Sequence, residues 1–269
     1  MIVDFHTHIF PEKIAERTLL ALQSNSNNTP KTNGTHTGLI QKMEEAGVDL
    51  SIALPVLTKP TQFESVMNYA KEINELYSDK SRRIISFCGF HPDIENAKDK
   101  LKLVKENGFL GIKIHPDFQN TFIDDDKYIN ILKICKDLDL ICVTHSGVDD
   151  GYKDCPVRCT PDRVLKVINK VNHDKFVLAH YGAHREWNET LDILAGKNVY
   201  FDTAFTLDHI DKDLFNKILD KHGDNKVLFA TDSPWDDIKK DVELLKTFID
   251  DKEVLDKIFY KNAIKLLGL

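Results

Sequence analysis

Short apolar runs alternate with amphipathic stretches along the whole chain. Between the runs, apolar residues recur at helical spacing, as Phe63, Val66, Met67 and Ala70 do. Strands separated by helices pair in parallel, because antiparallel neighbours are usually joined by a short hairpin instead. The eight apolar runs are IVDF (2–5), LSIAL (50–54), IISFCGF (84–90), LGIKI (110–114), LICVT (140–144), FVLA (176–179), VYFD (199–202) and VLFAT (227–231).

Eight strand–helix units in 269 residues predict an α/β fold, a single (β/α)8 TIM barrel domain over residues 1–269, regular or distorted. An open doubly wound sheet is the competing architecture, and it would usually carry a glycine-rich loop after the first strand. The first strand here ends in HTH instead. The polar segment SNSNNTPKTNGTHTG (24–38) is predicted to be a flexible loop or lid.

Composition narrows the class of protein. With 42% hydrophobic and 29% charged residues, the chain can build a core and stay soluble. Its formal net charge of -7 argues against a nucleic-acid partner, and no apolar run has the roughly eighteen residues of a membrane helix. The N-terminus lacks a secretory pattern, and the five cysteines contain no CxxC pair. We therefore expect a cytoplasmic protein, monomeric or a homodimer, that acts on a small molecule.

Six of the eleven histidines lie at or near a predicted strand end. His6 and His8 are two residues apart, so their side chains point to the same face at the carboxyl end of the first strand. That end is where barrels of this type carry their chemistry. Imidazole and carboxylate suit zinc, iron or manganese, so we predict a divalent-metal site at the C-terminal mouth. The strand-end candidates are His6, His8, His91, Lys113, His115, His145, His180 and Asp232.

Several of these residues also have a purely structural interpretation. Asp232 lies in TDSP and could cap the helix that follows it. His115 precedes a proline and could hold a loop, while Lys113 could pair with a nearby carboxylate. His184, four residues beyond His180, is expected to lie behind the site or to face solvent.

The ordered set of motifs resembles the amidohydrolase superfamily, and within it the branch called amidohydrolase family 2, the relatives of aminocarboxymuconate-semialdehyde decarboxylase and of metal-dependent lactonases. The resemblance spans nearly the whole chain. One motif departs from the pattern: HYGAH stands where many relatives have HxGG, which leaves the roles of Tyr181 and His184 open. The matching motifs are DFHTH, GIKIHP, VTHSG, LAHYG, ATDSPW and the closing YKNAIKLLGL.

The resemblance implies a role for each matching residue. His6, His8 and Asp232 would be metal ligands, and His145 would bind the same ion or a second one. His180 would bind a second ion or act as a catalytic acid or base. Lys113 matches a lysine that is carboxylated and bridges two ions in binuclear members. The site would thus hold one or two divalent ions, with zinc favoured over manganese or iron.

These ligands predict a hydrolase that activates water to cleave an amide or lactone bond in a small organic substrate. Asp232 would accept the proton of the water, and the metal or His180 would polarise the carbonyl. Arg158, in the loop CPVRCTP, and His115 are the candidates for substrate binding.

Three alternatives stay open at this point. The same site could serve a non-hydrolytic decarboxylase of a small aromatic or unsaturated acid, as in some relatives. A phosphoesterase of the PHP type also begins with HxH in a barrel. A metal-binding protein without turnover is the third alternative, although structural metal sites are usually closed by four protein ligands.

Overall fold

The eight apolar runs form parallel strands in the structure. The computed structural model describes residues 1–79, 83–152 and 154–269. All strand pairs in this part of the chain are parallel. The strands are β1 (Val3–Thr7), β2 (Leu50–Ala53), β3 (Ile84–Ser86), β4 (Cys88–Gly89), β5 (Gly111–Ile114), β6 (Ile141–Thr144), β7 (Phe176–Leu178), β8 (Tyr200–Asp202) and β9 (Val227–Leu228).

Helices follow the strands, as the amphipathic stretches predict. Aspartates begin several of them: Asp125, Asp211 and Asp237 each accept a hydrogen bond from a backbone N–H of the first helical turn. The helices are α1 (Glu12–Ser26), α2 (His36–Ala46), α3 (Phe63–Leu76), α4 (Ala97–Glu106), α5 (Asp126–Asp137), α6 (Pro161–Val171), α7 (Trp187–Glu189), α8 (Lys212–His222), α9 (Ile238–Phe248), α10 (Lys252–Asp256) and α11 (Asn262–Leu267).

The strands close into a distorted barrel. Hydrogen bonds order them as β1-β2-β3 and β4-β5-β6-β7-β8-β9, and β3 and β4 are two halves of one apolar run that is interrupted at Phe87. The first and last strands meet through the N–H of Phe5, which donates to the carbonyl oxygen of Phe229 at 2.9 Å. A parallel bridge between Thr7 and Ser233 extends this seam. The predicted barrel is confirmed, with one interrupted strand.

The core has two layers. An inner cluster contains alternate strand residues such as Phe5, Phe87 and Val143, all fully buried. Leu266 of α11 joins this cluster, so the last helix covers the amino-terminal end of the barrel. A larger outer cluster packs the strands against the surrounding helices. With one end covered, only the carboxyl end is open for a site.

The segment 24–38 is not one continuous loop. Residues 24–26 complete α1, and residues 36–38 begin α2, so the connection between helices is limited to residues 27–35. This connection is anchored to the barrel, since the N–H of Phe10 donates to the oxygen of Gly34 at 2.7 Å. Because the segment is polar, its sequence does not indicate that α1 ends and α2 begins within it. Within the described residues, every helix falls short of the length and apolar character that a membrane span requires.

Candidate metal centre

The predicted ligands come together at the carboxyl end of the barrel. A cavity of about 570 Å³ opens there. Its lining contains all six predicted metal ligands and His115. The six are His6, His8, Lys113, His145, His180 and Asp232.

A register shift in β1 directs His6 into this cavity. The pairing of β1 with β2 is regular up to Asp4 and resumes at Thr7. Phe5 packs in the inner cluster, yet the neighbouring His6 also faces the barrel interior, where its Nε2 lies 3.1 Å from Nζ of Lys113. A local irregularity of this kind re-aims a side chain that strict alternation would turn outward.

His6, His8 and Asp232 form the tightest group of candidate ligands. The Nε2 atoms of the two histidines are 3.2 Å apart. Oδ1 of Asp232 lies 3.3 Å from Nε2 of His6 and 3.0 Å from Nε2 of His8. Tetrahedral zinc, with bonds of about 2.0–2.2 Å, spaces its ligand atoms by about 3.4 Å. The three donor atoms therefore have the spacing that a small divalent ion needs.

The other ring nitrogens fix the tautomers of the two histidines. Nδ1 of His6 is 2.9 Å from Oδ2 of Asp202, and Nδ1 of His8 is 2.8 Å from the carbonyl oxygen of Leu54. Both partners are acceptors, so each Nδ1 carries the proton and each Nε2 keeps its lone pair. Burial, with the positive charge of Lys113, lowers the pKa of His6 well below its usual range and keeps the ring neutral. Two lone pairs and a carboxylate oxygen that converge in this way fit a cation.

Asp232 is held in place by its backbone. Its φ of 64° is in the left-handed region, which non-glycine residues rarely adopt. Its N–H donates to the carbonyl oxygen of His6 at 2.9 Å. The capping alternative is wrong, because Asp237 and not Asp232 caps the next helix.

A second group of candidate ligands contains His115, His145 and Asp149. Nε2 of His115 lies 3.4 Å from Oδ2 of Asp149. The imidazole rings of His115 and His145 stack with their centres 4.2 Å apart. Nδ1 of His145 is 2.9 Å from Nε2 of His180, which links this group to the rest of the cavity. Burial lowers the pKa of His115, His145 and His180, so their rings are neutral and each can offer a lone pair to a metal ion. His145 therefore groups with His115 and Asp149 instead of with His6, His8 and Asp232.

Lys113 is almost fully buried, with 1% of its surface exposed. Burial lowers the pKa of this lysine to about 8, against the opposing charges of Asp202 and Asp232. Among the described residues, no carboxylate oxygen lies within 4.0 Å of its Nζ, so the structure does not provide the simple ion pair considered from the sequence. Its nearest polar partner is His6.

The structure does not bring Arg158 into the cavity. Its guanidinium is directed at Asp117, with 3.4 Å between Nη1 and Oδ1, and also contacts Oδ1 of Asn120 at 2.5 Å. These contacts fix the loop that carries it, so Arg158 is not available to a substrate. His91 also lies outside the lining and accepts a hydrogen bond from the N–H of Asp93 at 3.1 Å. The expectation that Arg158 binds substrate is therefore set aside.

His184 lies in the cavity wall, contrary to the expectation from the sequence. It is buried, and its ring contacts that of His180 with centres 5.9 Å apart. Nε2 of His184 is 3.8 Å from Oδ2 of Asp150. Asp149 and Asp150 both line the cavity and were missed, although the sequence HSGVDD places two carboxylates close behind His145.

Asp202 is a further residue that sequence reasoning missed. It ends β8, and besides its contact with His6 it accepts the N–H groups of His180 at 3.0 Å and of Ala204 at 3.1 Å. One buried carboxylate therefore orients two of the candidate residues. Its position at the end of the run VYFD was the available signal.

Replacing Asp202 with asparagine is expected to weaken zinc binding by roughly 10- to 100-fold, the usual effect of losing a ligand's hydrogen-bond partner. An amide cannot accept from His6 and from both backbone N–H groups at once, since one of its two polar atoms is a donor. Competition with a chromophoric chelator measures the dissociation constant. The exposed Asp220→Asn on α8 is the control, and equal affinity in the two variants would contradict this role.

Comparisons with known protein families and solved structures match nearly the whole chain. A model of the amidohydrolase family matches residues 3–269. No curated protein matches the chain. Among solved structures, the chain is similar to 5-carboxyvanillate decarboxylase from Novosphingobium aromaticivorans in complex with manganese and a nitrobenzoic acid, with 14% identity, 100% of this chain and 96% of that chain covered, and a TM-score of 0.74.

Two other solved structures have the same fold, but neither is described as a decarboxylase. One is a probable 2-pyrone-4,6-dicarboxylic acid hydrolase from Acinetobacter baumannii, with 14% identity, coverage of 100% of this chain and 99% of that chain, and a TM-score of 0.70. The other is an uncharacterised TIM-barrel protein from Bordetella bronchiseptica, with 14% identity, coverage of 99% and 98%, and a TM-score of 0.76. Similarity at this level of identity establishes the fold and leaves the reaction open.

Proposed function

Because this chain belongs to the amidohydrolase family, we propose that it is a metal-dependent hydrolase that cleaves an amide or lactone bond in an uncharged small molecule. The observation that carries the proposal is the charge of the cavity. Apart from histidines, its charged lining residues are Lys113, Asp149, Asp150 and Asp232. A divalent ion in the cavity would balance the three acids and Lys113, so the loaded cavity would have no excess positive charge to favour an anionic substrate.

His6, His8 and Asp232 would hold the ion, with zinc proposed and manganese or iron as alternatives. A divalent ion at these ligands supplies a Lewis acid that acidifies water and polarises a carbonyl group. As an ionised carboxylate beside the ion, Asp232 would accept the proton of the attacking water. With one ion bound, His180 would be the acid or base: its Nδ1 donates to the carbonyl oxygen of Ala204 at 2.9 Å, so its Nε2, which faces Nδ1 of His145, can accept a proton and pass it to the leaving group.

Lys113 is proposed to be carboxylated, as in binuclear relatives. Addition of the neutral amine to carbon dioxide, with loss of a proton to solvent, would replace the buried ammonium beside His6 by an anion with two oxygen donors for a metal ion. In that case His145 and His180, whose facing nitrogens are 2.9 Å apart, would hold a second ion together with the carbamate, and His180 would be a ligand instead of an acid or base.

Decarboxylation of a small carboxylic acid is the second candidate function, and a specific observation favours it. An unmodified Lys113 would present an ammonium group inside the cavity, next to the first metal ligand, where a substrate carboxylate could bind. The similar 5-carboxyvanillate decarboxylase shows that this fold carries such a reaction.

Purified protein loaded with zinc or with manganese should be assayed against lactones, amides and hydroxybenzoic acids. The proposal predicts acid release from lactones or amides, abolished by a chelator and restored by the metal. Carbon dioxide release from hydroxybenzoic acids without hydrolysis would establish the second candidate instead. Turnover of none of these compounds by the metal-loaded protein would contradict both.

A further inference from the structure

One wall of the cavity is a row of side chains on α1. Ile14, Thr18 and Leu22 are spaced four residues apart, so they lie on one face of the helix, and all three line the cavity. Eight residues of helix extend about 12 Å. Beyond Leu22, the lining changes to the polar Asn25 and Ser26.

The helix that carries this row crosses the mouth of the barrel. It follows β1, and its far end reaches the turn Asp150–Tyr152 after β6, where a methyl group on Gly151 would lie 3.9 Å from Cβ of Asn25. In a ring of eight strands that counts β3 and β4 as one, β1 and β6 stand on opposite sides. The helix therefore spans the mouth, and its row of side chains lines the cavity beyond the strand ends.

Another part of the lining comes from α3 and from the segment after β2. Val66 and Tyr69, three residues apart on α3, line the same cavity, as do Pro55 and Val56. Burial raises the pKa of Tyr69 to about 12, in keeping with an environment of low polarity. We use the name apolar arm for the part of the cavity lined by Ile14, Thr18 and Leu22 with Val66 and Tyr69.

The cavity is larger than a simple lactone or a single ring requires. A cavity of about 150 Å³ accommodates benzene, whereas the whole cavity measures about 570 Å³. None of the charged lining residues belongs to the arm. A carboxylate or phosphate placed there would meet the hydroxyl groups of Thr18 and Tyr69 but no positively charged side chain, so its lost hydration would be only partly replaced.

We propose that the apolar arm binds an uncharged apolar chain attached to the reacting carbonyl group. The substrate would be a lactone, ester or amide with a neutral chain about as long as the row on α1, about 12 Å. This inference rests on the proposed hydrolase function, since it names the substrate class of the same site. The reacting group would lie at His6, His8 and Asp232, and the chain would extend between α1 and α3.

A series of γ-lactones with the same ring and alkyl chains of increasing length tests the proposal. Each methylene that is buried adds about 0.8 kcal/mol, which corresponds to a roughly fourfold increase in kcat/KM. We expect γ-decalactone to exceed γ-butyrolactone by at least about tenfold, and a chain of equal length that ends in a carboxylate to lose this advantage. Equal kcat/KM for the two alkyl lactones would overturn the proposal.

A matched pair of variants on α1 locates the effect. Leu22→Lys places a charge in the arm and should bring the ratio of γ-decalactone to γ-butyrolactone close to one. Leu20→Lys makes the same change at a side chain that is 61% exposed on the same helix, and should keep the wild-type ratio. A ratio that is unaffected by Leu22→Lys would overturn the proposal.

A binding measurement separates this inference from the proposed hydrolysis. If the metal-loaded protein turned over neither lactones nor amides, the hydrolase function would be wrong, and calorimetric titration with decanamide would test the apolar arm by itself. The proposal predicts that decanamide binds more strongly than acetamide or decanoate. It also predicts that this binding is lost in Leu22→Lys. Absence of decanamide binding would overturn it.

Discussion

Asp232→Asn is expected to lower kcat/KM by about a thousandfold or more with the substrate that the assays identify. The substitution keeps the shape of the side chain but removes the charge that faces Nε2 of His6 at 3.3 Å and Nε2 of His8 at 3.0 Å. It also removes the proposed proton acceptor, whose contribution is typically about 10²–10⁴-fold. Steady-state kinetics at saturating zinc separates the catalytic loss from weaker metal binding.

Asp237→Asn provides the matched control. This aspartate caps α9, where it accepts the N–H of Lys240 at 3.0 Å, and asparagine is an equally good cap. The control should keep its activity and stability. If Asp232→Asn retained more than a tenth of the wild-type kcat/KM, Asp232 would have neither of the proposed roles.

Lys113→Met is expected to stabilise the metal-free protein while it abolishes activity. The substitution replaces a fully buried ammonium, which lacks a carboxylate partner within 4.0 Å among the described residues, by an apolar chain of similar length. Replacing buried charges by apolar side chains often stabilises a protein by about 1–4 kcal/mol. Activity should fall by at least about 100-fold, because the proposed carbamate is lost, and bound zinc should fall from two ions per chain to one.

Denaturant unfolding in a chelator measures the free energy of unfolding, and elemental analysis counts the metal. Lys217→Met on the exposed face of α8 is the control for the loss of a positive charge and should change neither quantity. A destabilised Lys113→Met protein would show that this lysine supports the fold. An unchanged metal count would contradict the bridging role and favour the decarboxylase.

Much of the fold follows from the sequence because burial imposes a simple pattern. Strands that are covered on both sides are continuous apolar runs, so the sequence predicts all eight of them. Each run contains one strand in the structure, except 84–90, which contains two short ones. The strand ends followed as well. His6, Lys113, His145 and Asp232 could be placed at one mouth because parallel strands all end on the same side.

The rest depends on contacts between distant segments. The register shift that turns His6 inward is a property of the pairing between β1 and β2, which one strand alone does not reveal. A loop arginine is suited to carboxylates, so the sequence predicts that Arg158 binds the substrate. In the structure its guanidinium instead contacts Asp117, 41 residues earlier in the chain. Asp202 orients His6 across 196 residues of sequence. The path of α1 across the mouth is likewise set by packing and not by its amphipathic pattern.

The central claim is that His6, His8 and Asp232 bind a divalent ion, and anomalous diffraction from crystals of manganese-loaded protein tests it most directly. A peak is expected within bonding distance of Nε2 of His6, Nε2 of His8 and a carboxylate oxygen of Asp232, and it should vanish in Asp232→Asn crystals. Manganese-loaded crystals without anomalous density at these three atoms would contradict the claim.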